Sequence, residues 1–138
     1  MQSTNIPFKK FIPAIVWFII LCFLLFLPGN DIPPVGWLEQ INFDKVVHMS
    51  LFGLLVFLFC WPFNKSGVPT SKRKRYFLLI ALSCAIWGYC SELIQKYWAI
   101  GRDYEILDWV ADSVGAFIAY FVCIKKFTLT PKANPQKP

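Results

Sequence analysis

Four long apolar runs dominate this sequence and leave few ways to fold it. They cover residues 11–27, 46–62, 76–98 and 107–127. Each approaches the roughly 20 residues that cross a hydrocarbon layer about 30 Å thick at about 1.5 Å per residue. With 57% of 138 residues hydrophobic and 18% aromatic, the chain is too apolar for a soluble domain of its size. The expectation is an all-α membrane protein, one domain of four transmembrane helices in an up-down bundle. The first run is the shortest, and Lys9-Lys10 before it also suits a signal peptide. It ends in Phe26-Leu27-Pro28-Gly29-Asn30 without a small-x-small cleavage pattern, so it reads as a retained span.

The charges separate by side. The N-terminus, the second loop and the tail carry Lys9, Lys10, Lys65, Lys72, Arg73, Lys74, Arg75, Lys125, Lys126, Lys132 and Lys137, with no acid among them. All eight carboxylates fall on the other side, with Lys45, Lys96 and Arg102. Basic residues are retained in the cytoplasm, which predicts that both termini are cytoplasmic and the acid-rich side is external. The run Lys72-Arg73-Lys74-Arg75 is expected to fix this topology. No aromatic-interleaved basic surface accompanies it, so nucleic acid is not an expected partner. Cys22, Cys60, Cys84, Cys90 and Cys123 lie inside apolar runs without metal-type pairing and read as packing residues; for Cys60 and Cys123, near the cytoplasmic interface, reversible acylation is the alternative. No cofactor is expected.

Between the spans, residues 28–43 hold turn-forming Pro28-Gly29-Asn30-Asp31 and Pro33-Pro34, then Trp37, Leu38 and Ile41 on one face of a short interfacial stretch. Residues 64–75 read as a solvated connector, and residues 128–138 as a flexible basic tail. The short loop 99–106 makes the third and fourth spans an antiparallel hairpin.

Polar residues line up within the spans. Asp108, Asp112, Gly115 and Ala119 follow at three- and four-residue intervals on one face of the fourth; Gly88, Glu92 and Gln95 form a stripe on the third, and Lys45, His48 and Phe52 on the second. The small residues admit a close helix neighbour, within the bundle or in a homo-oligomer. His48, Glu92 and Asp112 each lie roughly 8 to 10 Å to the external side of their span's midpoint at about 1.5 Å per residue. Ionisable groups at that depth are costly and mark a site, predicted to comprise Asp44, Lys45, His48, Glu92, Gln95, Arg102, Asp108 and Asp112.

The same residues carry a resemblance. Asp44-Lys45-Val46-Val47-His48 before an aromatic-rich span, Glu92-Leu93-Ile94-Gln95, Gly101-Arg102, and Asp108-x-x-x-Asp112-x-x-Gly115 together resemble the VanZ-like family of small bacterial membrane proteins, over residues 44–120. Asp112 stands where that family commonly has Asn, and Ala119 where Gly is common, making this site more acidic. The resemblance implies a bacterial cytoplasmic membrane protein, in a family named after an accessory factor of teicoplanin resistance. It implies no reaction.

From the residues themselves three functions compete. Arg102, a planar charged fork in an external turn, suits a phosphate or carboxylate, so the site could capture the head group of a lipid, lipid-linked precursor or lipophilic glycopeptide. His48 or Glu92 could instead act as acid-base groups of an outer-leaflet enzyme. In the third reading the polar network only clamps the helices of a scaffold or assembly protein. One histidine among carboxylates is a poor match to usual metal sites, and none is expected. Trp37, Tyr97, Trp98, Tyr104 and Trp109 mark an interfacial aromatic belt around the external rim.

Overall fold

The computed structural model describes residues 5–27, 43–98 and 104–128. The interfacial stretch around Trp37, the turn containing Arg102, and the tail beyond Thr128 lie outside the described residues. Four helices make up the described chain. A 3-10 turn, Phe8–Phe11, leads into α1 (Ile12–Leu25). Helix α2 (Phe43–Cys60) ends in a second 3-10 turn, Trp61–Phe63. Helices α3 (Thr70–Trp98) and α4 (Ile106–Thr128) complete the set. All four spans are long and apolar enough to cross a membrane, with the 3-10 turns extending the first two. Inside lipid a backbone has no water to bond, which is why such runs close every amide internally as helices.

Side-chain pairs give the directions. Lys45 meets Asp108, His48 meets Asp112 and Phe57 meets Phe127, so the numbers rise together and α2 and α4 run parallel. Between α3 and α4 they run oppositely, Trp109 meeting Ala85 and Phe127 meeting Phe77. Helix α1 follows α3, with Phe18 on Trp87 and Leu25 bonded to Gln95. The result is the expected up-down bundle.

The tightest seam joins α2 to α4. A Cβ on Gly115 would overlap the carbonyl of Met49, and one on Gly53 would lie 3.2 Å from the carbonyl oxygen of Gly115. Backbone against backbone at this point accounts for the small-residue stripe, which is used within the bundle. Below the seam the core is Phe52, Leu55, Val56, Phe77, Ala81, Ala116 and Cys123 with their neighbours. Cys60 and Cys123 are fully buried there, as packing residues and not as acylation sites.

At the basic end the structure corrects the sequence reading. Helix α3 begins at Thr70, and the segment before it is folded in, with Ser66 and Val68 buried. Arg73, from the basic run, is also buried: Nε donates to Val68 O at 2.8 Å, Nη2 to Ser66 O at 2.6 Å and Nη1 to Phe127 O at 3.0 Å. The connector expected over residues 64–75 is therefore partly folded in: Ser66, Val68 and Arg73 are buried, and residues 70–75 belong to α3. One guanidinium satisfies the turn and the open last turn of α4 together, a use that three neighbouring basic side chains do not share.

Candidate functional site

Close approach at Gly115 forces the residues one and two turns nearer the acidic end into contact. His48 Nδ1 donates to Asp112 Oδ1 at 2.9 Å, and its other nitrogen, Nε2, lies 3.8 Å from Asp108 Oδ2. A turn further, the Lys45 ammonium is surrounded by Asp108 Oδ1 at 2.5 Å, Asp44 Oδ2 at 2.7 Å and Glu105 Oε1 at 2.7 Å. Asp112 Oδ2 fills the space that Gly88 leaves open, 3.0 Å from where a Cβ would stand. That close fit is the reason α3 carries a glycine one turn before Glu92.

Glu92 enters from α3. Its Oε2 accepts the backbone N–H of Glu105 at 3.2 Å, where α4 begins. A carboxylate there lies at the positive end of the helix dipole. Its Oε1 is buried and has no hydrogen-bond partner among the described residues. Glu92 and Asp112 are wholly buried, while His48 and Asp108 each keep 7% of their surface exposed.

The predicted residues thus part into three groups. His48, Glu92, Asp108 and Asp112 form a buried centre, and Lys45 covers it toward the acidic end, with Asp44 half-exposed at the rim. Gln95 is turned the other way: its Nε2 donates to Leu25 O at 2.7 Å and closes an open carbonyl at the end of α1. Arg102 lies outside the described residues. Glu105, within the short loop expected over residues 99–106, joins the centre through both its carboxylate and its amide. The available signal was its position one turn before Asp108.

Beside this centre, on an adjacent face of α4, an apolar groove of about 750 Å³ runs between α3 and α4. Tyr89 and Trp109 stand at its acidic end, their rings 5.7 Å apart, and Leu82 and Phe121 line its far part. Trp109 is tied down by its indole N–H, which donates to Ala85 O at 3.0 Å. Within the groove lies Ser113, whose Oγ is buried without a hydrogen-bond partner among the described residues.

Comparison with known proteins gives one informative likeness. "Uncharacterized protein C11E3.10" of Schizosaccharomyces pombe is 33% identical over 111 residues, which are 80% of this chain. The chain spans 59% of the length of that relative. No family model and no solved structure matches. The chain is a multi-pass membrane protein with an ionisable centre packed inside its bundle.

Proposed function

We propose that this protein captures a lipid or lipid-linked precursor, with the acyl chain in the α3–α4 groove and the polar head at the acidic end beside Lys45, His48, Glu92 and Asp108. The observation that carries the reading is the groove itself. It presents apolar walls for about 18 Å along α4, from Trp109 to Phe121 at about 1.5 Å per residue. Trp109, at its polar end, directly follows Asp108 in sequence, so a molecule lying in it has its head at the level of the ionisable centre, on the neighbouring face of α4. In this reading the acid-rich side is external, both termini are cytoplasmic, and Arg102 supplies a cation to the head group.

The VanZ-like resemblance is consistent with this assignment: His48, Asp108, Asp112 and Gly115, all residues that carry it, adjoin one another across α2 and α4. A bacterial cytoplasmic membrane and a part in teicoplanin-type resistance follow from the resemblance alone. The relative found is eukaryotic, and lipid capture by this centre is equally suited to either kind of membrane.

The test uses Val114, which lines the groove and is 41% exposed, so enlargement there spares the core. Lipids co-purifying with wild type and with Val114→Trp are to be identified by mass spectrometry. Capture predicts a head-group-enriched lipid on the wild type that the variant loses at unchanged thermal stability. Identical lipids in kind and amount would end the proposal.

The His48–Asp112 pair favours a second use of the same site, acid-base chemistry on the bound head group. Asp112 fixes the imidazole so that Nε2 faces the centre, as a general base requires. That use predicts that Asp112→Asn keeps lipid capture and loses turnover; an unchanged lipid after prolonged incubation with wild type would exclude it.

A further inference from the structure

We propose that His48, Glu92 and Asp108 form a binding site for one divalent transition-metal ion, with Asp112 holding the histidine in place. This goes beyond lipid capture and rests on the buried centre alone. One ligand atom from each of the three residues lies within 4.8 Å of the others. Donors around a tetrahedral ion with bonds of about 2.1 Å stand about 3.4 Å apart, so side-chain rotations of about 1 Å close the set.

Three observations point to a cation. First, the wholly buried Glu92 keeps an oxygen without a hydrogen-bond partner among the described residues. An unused buried carboxylate oxygen is costly, and a bound ion would remove that cost. Second, His48 has the arrangement of a metal ligand: Nδ1 is spent on a carboxylate at 2.9 Å, and Nε2 is the nitrogen directed at Asp108. Third, three buried acids, Glu92, Asp108 and Asp112, have as their one neighbouring ammonium among the described residues that of Lys45, which contacts Asp108 and not Glu92 or Asp112.

A neighbouring trio, Asp44, Glu105 and Asp108, also brings its oxygens together. It is already served by the Lys45 ammonium, which contacts all three, so the inner set is the one open to an ion. The sequence reading set metal aside on ligand type, one histidine among carboxylates, before the distances between them were known. One imidazole with two carboxylates suits zinc or manganese better than magnesium or calcium, whose sites are all oxygen.

The experiment is titration of chelator-treated protein in lipid nanodiscs with zinc, alongside absorption spectroscopy at the zinc edge. One equivalent should bind through nitrogen and oxygen. Glu92→Gln and His48→Gln should each weaken binding at least tenfold, and Asp112→Asn by 10- to 100-fold as expected for loss of an orienting partner. Asp44→Asn should leave affinity within threefold. No uptake by wild type, sulfur ligation from the free cysteines, or uptake indifferent to both Glu92 and His48 would overturn the site. Should the variants not fold, the wild-type stoichiometry and spectrum still decide. Because the readout is zinc, failure here is distinct from loss of lipid in Val114→Trp.

Discussion

Gly115 packs against the backbone of Met49 so closely that a single added methyl group would collide with the Met49 carbonyl. The ionisable centre depends on this contact, because it sets the distance at which His48 reaches Asp112. Gly115→Ala is therefore expected to destabilise by about 1–3 kcal/mol or more, in the range of overpacked cores. Gly53→Ala, whose added methyl would stand 3.2 Å from the Gly115 carbonyl oxygen, should cost less. Thermal unfolding in detergent measures both; a Gly115→Ala protein as stable as wild type would contradict the seam.

Lys45 is the cation that balances Asp108. Its side chain is 16% exposed and that of Asp108 10%, so removing the ammonium strands a carboxylate with little access to water. Lys45→Met should destabilise by about 2 kcal/mol or more, less than the roughly 3–5 of a fully buried pair because some solvent remains. Adding Asp108→Asn should recover much of that loss. A double-mutant cycle with coupling below about 0.5 kcal/mol would mean the pair is held for position alone.

The spans were legible because an apolar run of some twenty residues has few other uses, and depth along a helix is simple arithmetic. That arithmetic placed His48 and Asp112 at one level, and they are hydrogen-bonded. What it could not give is direction around a helix beyond the stripe. Gln95 shares a stripe with Glu92, yet its amide, which has N–H donors that a carboxylate lacks, serves an open carbonyl of α1, whose end had no pattern to advertise it. Glu105 was hidden by its position at a boundary, where a loop residue and a residue preceding a helix look alike. Arg73 was hidden by its neighbours, since counting charge treats Lys72, Arg73, Lys74 and Arg75 alike. Its spacing did carry the information: Arg73 lies one turn before Phe77 and two before Ala81, on the stripe that α3 buries.

Gln95 supplies a test of how α1 is attached. With Leu25 O deprived of its donor, Gln95→Leu leaves a carbonyl open at a helix end, worth about 1 kcal/mol. The effect should be local: faster hydrogen exchange in the last turn of α1, with α3 and α4 unchanged. Uniform exchange across all four helices would show that α1 is secured elsewhere, for instance by the Trp17 indole, which donates to Leu51 O at 3.1 Å.

Arg73 allows charge and structure to be separated within one basic run. Were the run only a topological signal, its four residues would be interchangeable, and any single neutral substitution would do little. The guanidinium instead closes three carbonyls drawn from the turn before α3 and the last turn of α4. Arg73→Gln should cost about 1–3 kcal/mol, the cost of buried acceptors left unmade, and Arg73→Lys should recover part of it, because one ammonium cannot reproduce the planar fork. Lys72→Gln and Lys74→Gln, both exposed, should stay within about 0.5 kcal/mol of wild type. Unfolding midpoints for the four variants at equal net charge make the comparison, except that Arg73→Lys retains its charge. Equal midpoints for Arg73→Gln and Lys72→Gln would return the whole run to a topological role.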